Sequence, residues 1–123
     1  MNNKTFLSVH AIIYAVFAVA LFVVPAQLWP IYGVQINDEY AYFLSQHTSI
    51  FLGGIAIISW LMRDTPQGKP LSQLIKGLLF TNLIGVAITT FAGVTGIFTG
   101  MGWSDPIFFS VMSVLSWMQL KRQ

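Results

Sequence analysis

No charged residue stands between Lys4 and Asp38, between Glu39 and Arg63, or between Lys76 and Asp105. These long uncharged stretches are rich in Leu, Ile, Val, Phe and Ala, and they constrain the fold more than any other feature of the chain. A bilayer-crossing helix needs about 20 mainly apolar residues, each rising about 1.5 Å, to traverse about 30 Å of hydrocarbon. The pattern predicts four such helices, over roughly residues 6–24, 40–62, 71–98 and 103–120. An outer loop at 25–39 and an inner loop at 63–70 join them. The third stretch exceeds the required length, which implies tilt or an extension beyond the membrane. The fourth is the weakest, because its uninterrupted apolar part begins only at Ile107. With 8% of its residues charged, the chain has too few polar groups to cover a water-exposed surface. The expected fold is all-α: residues 1–123 form a single transmembrane domain, an integral membrane four-helix up-down bundle.

The basic residues give the orientation. All six fall on one side of this layout: Lys4, then Arg63, Lys69 and Lys76 around the middle loop, then Lys121 and Arg122. The other side carries Asp38, Glu39 and Asp105 without any Lys or Arg. The positive-inside rule therefore puts both termini in the cytoplasm. Trp29 and Trp103, with Tyr32, Tyr40 and Tyr42, fall at the outer boundary, and Trp60 and Trp117 at the inner one. Amphipathic rings favour that depth. A cleaved signal peptide is the rival reading of the first stretch, with Lys4 as its positive region and Ala18-Val19-Ala20 as its cleavage site. The apolar run continues past that site through Leu21, Phe22, Val23 and Val24, which favours a retained span.

Local chemistry marks the boundaries. Pro25 ends the first span, and Asn37, Asp38 and Glu39 supply caps and negative charge at the start of the second helix. Residues 65–70 read as a tight inner turn. Ser104 or Asp105 before Pro106 reads as a cap followed by a proline at the first helical position. The aromatic outer loop is expected to lie on the membrane surface. There is no low-complexity segment or convincing internal repeat.

Small residues mark the seams where helices approach closely in lipid. On the third helix Asn82, Gly85, Thr89, Gly93, Gly96 and Gly100 recur in three- and four-residue steps, and Gly96 with Gly100 forms a GxxxG pair. Gly53 and Gly54 permit close approach on the second helix, and Ser110, Ser113 and Ser116 share a face of the fourth. These seams fit packing within one bundle, and the Gly96–Gly100 pair also fits a homo-oligomer interface.

Buried polar residues are where intramembrane chemistry would reside. His10 and Tyr14 share a face of the first helix. Gln46 and His47 stand within the polar run 45–49 of the second, and Asn82 lies on the third. For each there is a plainer reading: His47 satisfied by a hydroxyl or carbonyl, His10 reaching the inner headgroups, Tyr14 in the core, Asn82 as interhelical glue. Lys76 can snorkel to the inner surface. His10 and His47 should differ in depth by about 14 Å, so a single metal bound at about 2 Å cannot join them. No acid lies inside a span, which disfavours proton-coupled transport and a Ser-His-acid hydrolase. The absence of cysteine removes thiol chemistry and Cys-held metals, and no phosphate loop or dinucleotide fingerprint is present. A net charge of +2 gives no reason to expect nucleic acid.

Pro25-x-x-Leu28-Trp29-x-x-Tyr32-Gly33, Leu52-Gly53-Gly54 leading to Trp60-Leu61-Met62-Arg63, Asn82-x-x-Gly85, and Thr95-Gly96 before Gly102-Trp103 follow one another along the chain. In that order they resemble small, uncharacterised bacterial four-helix membrane proteins that are broadly DoxX-like. The resemblance covers nearly the whole chain and implies a multi-pass protein of the bacterial inner membrane. Relatives of that kind suggest an association with quinone-linked redox systems.

The expected role is non-enzymatic and without a cofactor: a structural or interaction subunit among membrane lipids, self-associating or bound in a larger membrane complex. The alternative is a small transporter, or a protein that binds a small molecule, lipid or quinone in the outer half of the bundle near Tyr42, Gln46, His47, Thr89 and Trp103.

Overall fold

The computed structural model describes Met1–Gln123 and is helical throughout, with no strand. Five α-helices follow in order: α1 (Asn3–Val23), α2 (Pro25–Ile31), α3 (Glu39–Leu61), α4 (Lys69–Val94) and α5 (Ser104–Lys121). A 3-10 turn, Gly100–Trp103, precedes α5. α1, α3 and α4 are long and apolar enough to cross a membrane. α5 has 18 residues and is not among them. The chain divides into two compact units: residues 1–31 with 35–64, and residues 32–34 with 65–123.

The first unit is an antiparallel pairing of α1 with α3. The Asn2 side chain caps α1 by accepting from the Thr5 amide at 2.7 Å, and Asp38 caps α3 by accepting from the Ala41 amide at 2.9 Å. The second of these is the predicted cap. α1 stops one residue before Pro25, where Val24 leaves helical geometry (φ −129°, ψ 45°). The buried stripe of α1 runs through Leu7, His10, Ala11, Tyr14, Ala18 and Leu21 at helical spacing. α3 contributes Ser45, Ala56 and Ser59 to the interior. At the far end of the hairpin, Lys4 Nζ meets Asp64 Oδ1 at 3.0 Å. This hydrogen bond and the charges of Lys4 and Arg63 hold the Asp64 carboxyl below its usual range.

The second unit pairs α4 with α5, also antiparallel. Gln67 Nε2 donates to the carbonyl of Arg122 at 3.3 Å and so ties the start of α4 to the end of α5. At the opposite end, the Thr99 amide donates to the Tyr32 carbonyl at 3.3 Å. Gly33 sits there at φ +75°, and an added Cβ would lie 2.9 Å from the Thr99 nitrogen, so both backbone conformation and space call for glycine. Burial raises the Tyr32 phenol above its ordinary pKa, with a smaller contribution from the Asp105 carboxylate.

Two boundary expectations are corrected here. α4 ends at Val94 rather than near residue 98, because Gly96 takes φ +80°. The Ile97 amide then bonds to the Ala92 carbonyl and the Gly96 amide to the Gly93 carbonyl, which is a Schellman termination. At α5, neither Ser104 nor Asp105 is the capping residue. The 3-10 turn leads directly into the helix, so Trp103 holds the cap position without a side-chain cap, and Pro106 lies at the third helical residue instead of the first.

Candidate functional site

A set of polar side chains is buried among the apolar cores of these hairpins, and large apolar side chains cover much of their outsides. Buried positions hold His10, Ser45, Ser59, Asn82, Ser113, Ser116 and Gln119. Outward positions include Val16, Phe51, Leu61 and Val94, the last two 72% and 74% exposed. Exposed apolar surface this continuous is rare on a water-soluble monomer.

In the first unit the polar run of α3 performs a specific backbone task. An α-helix leaves its last four carbonyls without helical donors. The Leu21 carbonyl would be served by the amide of residue 25, but that residue is proline and has none. Ser45 Oγ donates to the Leu21 carbonyl instead, at 3.0 Å. The same oxygen accepts from Trp29 Nε1 at 2.9 Å, which fixes α2 to the junction. Gln46 Nε2 donates to the neighbouring Phe22 carbonyl at 3.2 Å. Thr48 Oγ1 and Ser49 Oγ return to carbonyls of their own helix, those of Leu44 and Gln46. Four of the five polar residues in the run therefore satisfy backbone acceptors.

His47, the first choice from the sequence, faces outward. Its ring packs on Phe43 with centroids 3.9 Å apart. Tyr42 is also exposed. His10 and Tyr14 do come together, buried, with ring centroids 4.6 Å apart and planes inclined by 19°. Phe6 adds a tilted contact to His10 at 5.8 Å. Gly53 faces Ala18, but a Cβ there would stand 3.8 Å from the Ala18 methyl, an ordinary contact, and Gly54 opens on empty space. Neither position requires glycine for packing.

In the second unit Gly85 and Gly93 receive aromatic rings. A Cβ on Gly85 would fall 2.5 Å from Phe109 Cδ1, and one on Gly93 would fall 2.7 Å from Trp103 Cη2. Phe98 packs edge-on against Trp103 at 5.6 Å between centroids. Gly96 and Gly100 lie outside the helix at φ +80° and +59°. They therefore do not continue the helical seam, which ends at Gly93. Thr89 Oγ1 donates to the Gly85 carbonyl at 2.7 Å. Ser110, Ser113 and Ser116 each donate to the carbonyl four residues earlier, and Ser116 Oγ also accepts from Asn82 Nδ2 at 3.5 Å. Hydroxyls that bond back to their own helix are common where water is excluded.

Comparison with protein-family models, curated proteins and solved structures finds no match for this chain. The functional reading therefore rests on the geometry. Two open features of the first unit are lined by apolar side chains. One groove of about 240 Å³ runs between α1 and α3 past Ala11, Ala15, Ala56 and Trp60. A shallower surface follows α1 along Ile12, Val16, Val19 and Val23. No three His, Asp or Glu side chains converge. The sequence alone missed the role of Ser45 and the ring sockets at Gly85 and Gly93. Pro25, four residues after Leu21, was the available signal for the first.

Proposed function

We propose that this chain is a multi-pass bacterial inner-membrane protein of four spans, with both termini cytoplasmic. Its role is that of a non-enzymatic structural or interaction subunit, self-associated or bound within a larger membrane complex. One observation carries the reading: most buried polar side chains, Ser59 excepted, engage backbone carbonyls or a neighbouring helix, while large apolar side chains dominate the outward faces of the long helices. In hydrocarbon every backbone carbonyl needs a partner, and lipid-facing side chains have to be apolar. The confinement of Lys and Arg to one end of each hairpin supports the orientation. α5 fits as the fourth span because 18 residues reach about 27 Å. The apolar grooves of the first unit offer surface for a neighbouring helix.

Labelling of tags placed at each terminus, in intact cells and in inverted vesicles, tests the topology. Both tags should react only from the cytoplasmic face, and termini on opposite faces would overturn the four-span reading. Crosslinking in native membranes tests the interaction role. Recurrent adducts, either with a second copy or with a fixed partner, are expected. A lone monomer with no adduct would count against it.

The alternative, a ligand site around Tyr42, Gln46, His47, Thr89 and Trp103, makes a different prediction. With Gln46 and Thr89 hydrogen-bonded to carbonyls and His47 facing outward, His47→Ala should change unfolding stability by less than about 0.5 kcal/mol. Gln46→Ala should lower it by about 1 kcal/mol through the freed Phe22 carbonyl. A ligand-dependent rise in melting temperature that disappears in His47→Ala would favour the binding protein instead.

A further inference from the structure

Two residues of α3 have no use within their own hairpin. His47 is exposed and packs only on Phe43, an apolar ring that offers its nitrogens no partner. Gly54 has ordinary helical geometry, and nothing lies within 4 Å of a Cβ placed there. Glycine is a poor helix former, and neither conformation nor packing in the protomer calls for it at this position. Gly54 follows His47 by seven residues, two helical turns, so both lie on one face, turned away from Ser45 and α1. Phe43, Ile50, Phe51, Ile58 and Leu61 flank them and are exposed. No charged residue interrupts this face, because none stands between Glu39 and Arg63.

His47 stands eight residues beyond Glu39, the first residue of α3, and so about 12 Å along the helix from its outer end. Acyl chains offer an imidazole no hydrogen bond at that depth, and ionisable side chains within spans pair with protein groups. A glycine on an outward helical face lets a second backbone approach closely. Both features are their own complements. Neutral imidazole carries one donor and one acceptor, so two such rings satisfy each other. Two glycines give the closest crossing of two helices. Copies inserted the same way carry both residues at equal depths, so both pairs form together about a two-fold axis. The uncharged face opposes that approach with no like-charge repulsion. A lipid or small molecule would make no use of the glycine.

We propose that the His47–Gly54 face of α3 docks against the same face of a second copy of this chain, the two α3 backbones crossing at Gly54 and the two His47 rings hydrogen-bonding. The proposal rests on the membrane reading above and gives the self-associating role its surface. Close packing at Gly54 supplies most of the affinity. The His47 pair fixes register, since a hydrogen bond between membrane helices is worth only about threefold in an equilibrium constant.

The chain has no cysteine, so single introduced cysteines report proximity without background. A disulfide needs Cα atoms within about 7 Å. Under mild oxidation in native membranes, Gly54→Cys should link two copies of the full chain. Val16→Cys on α1 and Ile88→Cys on α4, at equally outward positions, should stay unlinked. In mild detergent, energy transfer between labelled copies measures the affinity. Gly54→Leu should weaken it by at least about tenfold and keep its helical circular dichroism. His47→Ala should weaken it by about threefold, and His47→Gln, which keeps a donor and an acceptor, should recover most of that loss. The cysteine result stands whether or not Gly54→Leu folds. Crosslinking at Val16→Cys or Ile88→Cys in place of Gly54→Cys would overturn this interface while self-association stood. Gly54→Cys linked only to a different protein would overturn the second copy as occupant and leave the subunit role. Release of the protein from vesicles by alkaline carbonate would overturn the membrane reading as well.

Discussion

Ser45→Ala is expected to lower the unfolding stability of the α1–α3 hairpin by about 2–4 kcal/mol, although it removes a single oxygen from the side chain. That oxygen serves two partners. It donates to the Leu21 carbonyl and accepts from Trp29 Nε1, and both bonds are lost together. An orphaned buried polar group costs about 1–3 kcal/mol, and more in hydrocarbon. Hydrogen bonds between membrane helices average only about 0.6 kcal/mol, because groups separated within the bilayer find other partners. The Leu21 carbonyl has no such recourse, since the residue four places on is Pro25. The larger figure therefore applies. Unfolding in detergent micelles, followed by circular dichroism, measures the effect. Ser45→Thr keeps a hydroxyl and should lose less than about 1 kcal/mol. Thr48→Ala, whose hydroxyl serves only its own exposed turn, should stay within about 0.5 kcal/mol. If Ser45→Ala unfolds together with the unaltered chain, the capping role assigned to Ser45 is wrong.

The same residue marks how far the sequence could be read. The uncharged stretches announced long helices, and α1, α3 and α4 are the three that meet the demands of a span. Pro25 and Asp38 announced the end of α1 and the start of α3, because a missing amide and a capping carboxylate act locally. The polar run 45–49 announced that something needed hydrogen bonds, but not which residue pointed at what. Successive residues on a helix are about 100° apart, so Ser45 and His47 face nearly opposite ways. If one meets α1, the other cannot, and the register between the two helices decides between them. Histidine drew attention for its chemistry, whereas the interior needed a compact donor and acceptor. Gly96 shows the same limit. A glycine four residues before another fits a packing seam and equally a left-handed helix stop. The hydrogen bonds from Ile97 to Ala92 and from Gly96 to Gly93 distinguish the two, and neither bond is visible in the spacing.

Gly85→Ala should destabilise the α4–α5 hairpin by about 1–3 kcal/mol, against the usual preference for alanine in a helix. The added methyl would stand 2.5, 2.6 and 2.8 Å from Cδ1, Cγ and Cε1 of Phe109, well inside the roughly 3.5 Å at which carbon atoms rest in contact. Cγ is the root of the ring, so a small rotation of its tip gives no relief, and either the rotamer or the helix spacing has to change. Gly77 provides the control on the same helix. Nothing lies within 4 Å of a Cβ placed there, so Gly77→Ala should be neutral or stabilising by up to about 1 kcal/mol. Phe109→Ala alone leaves the socket empty and should also destabilise. If the clash with Phe109 is the cause, the double variant Gly85→Ala/Phe109→Ala has to lose less than the sum of the two single changes, by about 0.5–3 kcal/mol. Strict additivity, or a Gly85→Ala chain as stable as Gly77→Ala, would mean that α4 and α5 do not meet at this register. The ring sockets, the Asn82–Ser116 contact and the alignment of the basic end would then have to be redrawn together, because all three depend on the same sliding position of one helix along the other.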